Sequence, residues 1–226
     1  GIPGKNMKLL NGKPLIQWVI ECSLTSETSR TLVSTDSKEI ADYAHSLGAE
    51  APFLRPTDLS GDDVPIEPVL RHAYEFYSER LRWRPDALLL LLPTAPFRTR
   101  EDINQAIQIF KAGKASSVFS VTPAEANLNP NWMVTRESNG SIRLCNGNPM
   151  KQILTRRQLL PDAYIRNDYV FILDPSNLYE EIPNLYGAIP EILICDPDRY
   201  DVDINSARDW RIAELLLATG GQGPLV

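Results

Sequence analysis

Cysteine, histidine and long apolar runs are all scarce in this sequence, and each scarcity excludes something. The cysteines are Cys22, Cys145 and Cys195, an odd number set far apart. That spacing fits neither a disulfide framework nor a zinc knuckle, and points to thiols kept reduced. The two histidines, His45 and His72, both fall on helical patterns, so no obvious histidine general base emerges. The longest apolar run, Ala87–Leu92, is too short to span a bilayer and suits a buried strand. The first residues show no leader-peptide pattern, and a cytoplasmic location is expected. Positive charge is also in short supply. The formal net charge is −6, which argues against a broad nucleic-acid footprint. A polyphosphate would have to be met by a few local cations, backbone N–H groups and a divalent ion.

What is present suits one globular domain: 226 residues, 43% of them hydrophobic, enough for a sizeable core without a staple. The first half alternates helix and strand signals. Pro14 can open a helix carrying Leu15, Ile16, Val19, Ile20 and Leu24. Thr31 to Thr35 predicts a short strand. Asp36 or Ser37 can cap a second helix, with Gly48 just past its end. Ile66 to Leu81 predicts a third helix. Ala87–Leu92, apolar at every position, predicts a strand covered on both faces. Thr99 and Asp102 form a capping-box pattern, Ser117–Val121 another strand, and Ser206 with Asp209 a second capping box before the last helix. Residues 219–226 are expected to form a frayed tail. The alternation predicts an α/β fold, a three-layer α/β/α sandwich with a mostly parallel sheet of the Rossmann-like type. In such folds the ligand sits beyond the carboxyl ends of strands. Residues 124–168 break the pattern with Asn-Gly turns and short strand-like pieces, and are expected to form an inserted arm.

Several short segments carry chemistry. Gly1-Ile2-Pro3-Gly4-Lys5-Asn6 makes a loop whose backbone can approach phosphates closely, with Lys5 as counter-charge. Alone, it is equally an ordinary glycine turn. Arg55 alone is equally a surface salt-bridge partner, and Asp203 a helix-approach cap.

Taken together and in order, the segments resemble the acylneuraminate cytidylyltransferases, the CMP-sialic acid synthetases. The likeness runs through GIPGKNMKLLNGKPLI at the start, Val33–Asp36, Gly48-Ala49, Pro52–Pro56 and Leu92–Thr99. It returns at Arg157–Pro161 and Asp201–Ile204, and so covers nearly the whole chain. The resemblance implies transfer of CMP from CTP to the anomeric hydroxyl of a nine-carbon acidic sugar of the sialic, legionaminic or pseudaminic type, with release of pyrophosphate. It assigns Lys5 and Asp203 to catalysis, and Lys5, Asn6 and Arg55 to the nucleotide. Pro93, Thr94, Ala95, Arg98, Arg157, Gln158 and Asn167 are assigned to the sugar, and Asp203 and Asn205 to Mg²⁺. It also implies a homodimer in which the 124–168 arm reaches the neighbour's site, with no nucleic-acid or membrane partner. Two alternatives stay open: a CMP-3-deoxy-manno-octulosonate synthetase or other sugar nucleotidyltransferase, and a non-catalytic nucleotide-binding relative.

Four departures from the family pattern stand out. An opening strand and an Arg-x-x-Ser-Lys phosphate loop, usual before the position of Gly1, are expected upstream of this sequence. Leu92 occupies a position where glutamine is common. Asn205 replaces the second aspartate of the metal pair; it offers only a neutral oxygen. Asp168 puts a carboxylate where glycine is usual, and the sequence assigns it no role.

Overall fold

In the computed structural model, residues 2–199 and 202–219 are described. Gly1, Asp201 and the tail from residue 220 lie outside them. Leu9–Leu10 (β1) and Lys13–Pro14 (β2) form a small hairpin. Its turn is Asn11-Gly12, both at positive φ (49° and 82°), as a tight Asn-Gly hairpin turn requires. The chain continues through Leu15–Leu24 (α1), Lys38–Ser46 (α2), Ile66–Glu75 (α3), Leu88–Leu90 (β3), Arg100–Lys111 (α4) and Ser117–Pro123 (β4). It then passes through Val134–Arg136 (β5), Ile142–Leu144 (β6), Tyr164–Leu173 (β7), Pro190–Ile194 (β8) and Ala207–Ala218 (α5).

The helix starts follow the sequence signals. Pro14 immediately precedes α1. Ser37 is the cap that α2 uses, accepting from the Ile40 N–H. Thr99–Asp102 and Ser206–Asp209 are both complete capping boxes. The third helix extends through a π-helical turn over Phe76–Arg80, close to its expected end.

The main sheet has the order β3-β7-β4-β8. β8 is parallel to β4, and β7 is antiparallel to both β3 and β4. Three strands therefore share one direction and β7 opposes them. Side chains alternate between the faces. Leu89, Val118, Ile172 and Leu193 pack with Cys22 of α1 and with Ile103 and Ala106 of α4. Leu88, Leu90, Phe119, Phe171 and Leu173 pack with Leu70 of α3 and with Leu178. Helices thus cover both faces, the three-layer arrangement the alternation predicts. A separate cluster joins α5 to the N-terminal hairpin and the loop after β3, through Trp210, Leu10, Leu15, Phe97 and Ile204.

Two expectations need correction. Residues 31–35 do not join the main sheet. They make one parallel bridge, Leu32 to Glu50, supported by Val33 N–H to Glu50 O at 2.8 Å. Leu88–Leu90 are half-buried, where full burial was expected. Among the described residues β3 pairs on one side with β7 and has no strand on the other. A cavity of about 830 Å³ lies beside it, lined by Leu32, Val33, Leu88, Leu90, Val19 and Tyr77 among others.

Between β4 and β7 the register jumps from Phe119↔Phe171 to Val121↔Arg166. Residues 167–170 therefore bulge out opposite Ser120. The Ser120 hydroxyl takes over the lost ladder bonds: it accepts from the Val170 N–H (2.9 Å) and donates to the Val170 carbonyl (3.2 Å). Bulges of this kind re-aim side chains and are common beside functional sites.

Within residues 124–168, β5 and β6 among the described residues pair with each other outside the main sheet, and Trp132 donates to the Leu154 carbonyl (2.5 Å); Tyr164–Asp168, expected in the arm, belong to β7 of the main sheet.

Candidate active site

The loop that follows β3 is where the expected site residues meet. Thr94 is buried, and its carbonyl accepts from the Ile204 N–H at 2.8 Å. Lys5 reaches the same segment from the N-terminal loop, its Nζ lying 3.3 Å from the Ile204 carbonyl. The Lys5 side chain and the Thr94 main chain therefore meet at the main chain of Ile204, between Asp203 and Asn205. Ala95 is buried under this loop. Pro93 lines one part of the cavity, as do Asn6, Thr35, Asp36 and Arg55. Arg55 is held there by its N–H on the Thr35 carbonyl (2.7 Å), by Ser60 (3.2 Å) and by a 4.0 Å approach to Asp36. The two side chains expected at the base and ribose, Asn6 and Arg55, thus line one cavity that continues to Pro93.

Arg98, expected against the sugar, is turned inward. It is 1% exposed. Its Nε donates to the Tyr169 carbonyl, and its Nη2 donates to Leu92 O (2.9 Å) and Asp168 O (2.7 Å). Burial pulls its ordinarily very high pKa down to about 10. The bulge in β7 frees the Asp168 and Tyr169 carbonyls from the ladder, and a fork of donors in one plane is the group that can satisfy both together with Leu92 O. Arg98 therefore shapes the site by tying its loop to the bulge. Asn167, also expected at the sugar, is 8% exposed and braces the same bulge. Its Nδ2 donates to Thr122 Oγ1 (2.8 Å), and its Oδ1 accepts from the Tyr169 N–H (3.3 Å).

A second brace was not foreseen from the sequence. Arg199 pairs with Asp102 at 2.9 Å and lies over the Tyr169 ring, 4.6 Å from its centroid. Asp102 simultaneously closes the Thr99 capping box. One carboxylate thus fixes the start of α4 and the cation that packs on the bulge. The capping-box pattern was legible. The arginine is about a hundred positions away in sequence, and no local signal links it to Asp102.

Asp203 is half-buried. One carboxylate oxygen, Oδ2, accepts from the Asn205 amide nitrogen; the other, Oδ1, is buried without a partner. Asp168 lies on the β7 bulge. Burial and then the Asp203 charge hold its carboxyl above the usual range, and Arg166 and Arg98 counter this in part. Arg166 approaches it only to 3.9 Å, with its other arm on the Tyr186 hydroxyl (2.9 Å). Among the described residues no three acidic, histidine or cysteine side chains gather around one point that would hold a metal ion. A carboxylate such as Asp203 suits an ion such as Mg²⁺, which is commonly held by one or two carboxylates and completed by water and substrate phosphates. The orphaned Asp203 oxygen meets that need.

Arg157 and Gln158 sit on a short turn, Arg157–Leu159, in the arm, where both are exposed. Within one chain they are not among the groups that meet at Thr94 and Ile204. No helix among the described residues is long and apolar enough to cross a membrane.

Comparison with known proteins bears on this geometry. A family model described as cytidylyltransferase matches residues 1–168. The chain is 34% identical to the CMP-N,N'-diacetyllegionaminic acid synthase of Legionella pneumophila, over 96% of this chain and 90% of that protein. It is 33% identical to a pseudaminic acid cytidylyltransferase of Campylobacter jejuni, over 95% of this chain and 90% of that one. Among solved structures it superposes on a CMP:2-keto-3-deoxy-manno-octonic acid synthetase complexed with CTP, with a TM-score of 0.68 at 16% identity, covering 96% of this chain and 93% of that one. At that identity the superposition speaks for the fold.

Proposed function

This chain belongs to the cytidylyltransferase family, and we propose that it transfers CMP from CTP to the anomeric hydroxyl of a nonulosonic acid, releasing pyrophosphate. The observation that carries the reading is the meeting of Lys5 and Thr94 at Ile204, next to Asp203, with their neighbours Asn6 and Pro93 lining a cavity that Arg55 also lines, in a chain about a third identical to enzymes named for CMP-legionaminic and pseudaminic acids.

In the reaction the sugar's anomeric oxygen forms a bond to the α-phosphorus of CTP, and the bond from that phosphorus to the bridging oxygen breaks. The hydroxyl proton goes to solvent and pyrophosphate leaves. Catalysis of this kind is mostly positioning and charge stabilisation. Asn6 and Arg55 hold the cytidine, and Lys5 offsets negative charge on the phosphates. Asp203, with Asn205 beside it, would hold Mg²⁺, which would supply charge neutralisation at the phosphate oxygens. Arg98 and Asn167 act at one remove, by keeping the bulge and the Pro93–Arg98 loop in register.

The reading includes a homodimer working in the cytoplasm, where CTP is supplied. Support for the dimer comes from the arm, which exposes Met133 (40%), Val134 (54%) and Leu159 (59%). Apolar groups gathered on one protruding element favour burial against another surface. A partner's arm would bring Arg157 and Gln158 to the sugar pocket, where an arginine can meet the substrate carboxylate.

The test is pyrophosphate release with CTP, Mg²⁺ and a panel of legionaminic, pseudaminic, N-acetylneuraminic and 3-deoxy-manno-octulosonic acids. Release with one or more nine-carbon acids and only background with the eight-carbon acid is expected. Preferential use of the eight-carbon acid, or no release with any, would overturn the reading.

A further inference from the structure

Four residues of β7, Asn167 to Val170, stand opposite a single residue of β4, Ser120. Lifted off the ladder, their main-chain groups need other partners. Three side chains supply them. Arg98 donates to the carbonyls of Asp168 (2.7 Å) and Tyr169. Asn167 accepts from the Tyr169 N–H (3.3 Å) and is itself anchored on Thr122 Oγ1 (2.8 Å). Ser120 serves Val170 twice, accepting from its N–H (2.9 Å) and donating to its carbonyl (3.2 Å).

Ser120 differs from the other two in where it stands. It is fully buried within β4, and Leu193 of β8 is its partner on the other side. A hydroxyl donates and accepts at once, and alanine does neither. With alanine, both Val170 groups lose their partner inside the core, and β7 can recover them only by sliding toward a regular ladder. A slide of one residue turns each side chain to the opposite face. Asn167 then leaves Thr122, and the Asp168 and Tyr169 carbonyls leave Arg98. Because Arg98 also holds Leu92 O at 2.9 Å, the loop after β3 moves with them. Thr94 of that loop holds the Ile204 N–H, next to Asp203. The cavity that Asn6 and Arg55 line is separate from the bulge: Ile172 of β7 lines it, and residues 167–170 do not.

We propose that Ser120 is a positioning residue for the transfer: its hydroxyl holds the β7 bulge open, and through Arg98 the bulge places the Pro93–Arg98 loop against the acceptor sugar. This rests on the cytidylyl-transfer reading, in which that loop meets the sugar while Asn6 and Arg55 meet the nucleotide.

The test is steady-state pyrophosphate release by the full chain, with CTP and a nine-carbon acid varied in turn. Ser120→Ala is expected to lower kcat/KM for the acid by about 10- to 100-fold, the scale of a misplacement of about 1 Å. The KM for CTP is expected to stay within about 2-fold of the parent, since groups without shared partners act almost independently. Val118→Ala is the control. Val118 is buried two positions earlier, opposite Ile172 in the regular ladder. Its loss is expected to lower the urea midpoint and to change kcat/KM for the acid by less than about 3-fold. Should Ser120→Ala not fold, Ser120→Cys decides, because it fills the site and bonds only weakly. An unchanged kcat/KM for the acid overturns the proposal. So do equal losses for both substrates, an equal loss in Val118→Ala, and failure of both Ser120 variants to fold, which would make the role structural. A parent inactive with every acid removes the reaction instead. The Val170 amide, expected to exchange with deuterium at least about 10-fold faster in Ser120→Ala, then still decides whether the hydroxyl holds the bulge, and unchanged exchange overturns that.

Discussion

Arg98 and Asp168 are joined through the main chain: the guanidinium Nη2 sits 2.7 Å from the Asp168 carbonyl. The arginine therefore holds the backbone of the β7 bulge, and its charge offsets only part of the rise that burial imposes on the Asp168 carboxyl. This division of labour separates the residues that build the site from those that act in it.

Arg98→Ala leaves the carbonyls of Leu92, Asp168 and Tyr169 without their donor inside the fold. It is expected to lower unfolding free energy by about 3 kcal/mol or more, since each hydrogen bond to a charged group is worth about 1.5–3 kcal/mol. Arg98→Lys is expected to recover little, because an ammonium cannot reproduce the planar fork. Urea unfolding monitored by tryptophan fluorescence measures both. Unchanged stability with a raised KM for the sugar alone would mean that Arg98 contacts substrate.

Asp203→Ala is expected to reduce kcat by about 1,000-fold or more, the scale of several kcal/mol of charge stabilisation, with the melting temperature close to that of the parent. Steady-state pyrophosphate release at several Mg²⁺ concentrations checks it. Near-normal turnover at limiting Mg²⁺ would remove Asp203 from the metal site.

The cysteines should separate by reactivity. Cys22 is buried, its thiol 3.7 Å from the Arg98 carbonyl, and burial pushes its pKa up to about 11. Raised in this way, it stays protonated at pH 8 and is a poor nucleophile. Cys195 is also buried, and Cys145 is exposed. Iodoacetamide at pH 8 is expected to modify Cys145 in the native protein and to reach the other two only after unfolding. Peptide mass mapping gives the answer, and rapid labelling of Cys22 in the folded state would contradict the packing around Arg98.

Leu92 lines the cavity, at a position where the family resemblance leads one to expect a glutamine. Shape selection by a leucine discriminates less sharply than a hydrogen bond to a substituent. A nine-carbon acid other than N-acetylneuraminate is expected to give the highest kcat/KM. A clear preference for N-acetylneuraminate across the panel would show that the position does not set specificity.

Local signals carried much of the fold. Two capping boxes, the Asn11-Gly12 turn, Pro14 and Ser37 each act within a few residues, so their outcome could be seen in the sequence. The half-buried state of Leu88–Leu90 could not, because burial of a strand depends on which partner lies on each side, and those partners are far away in sequence. The apolar run predicts a strand without saying that it is an edge. The β7 bulge is similarly hidden: its register is set against β4, and its free carbonyls are met by Arg98 from a third segment. In consequence Arg98 and Asn167, expected against the sugar, could not be read as braces of the bulge. Asp168 was visible as an anomaly, but its place on the bulge depends on the same distant pairing.

The central claim is transfer of CMP to the sugar's own anomeric oxygen. The most direct measurement uses a nine-carbon acid carrying ¹⁸O at the anomeric hydroxyl, with CTP, Mg²⁺ and this protein, followed by mass spectrometry of the products. The expected result is a CMP-sugar that retains the label in the bond between sugar and phosphorus, with unlabelled pyrophosphate. Label released to water, or found in pyrophosphate, would contradict it.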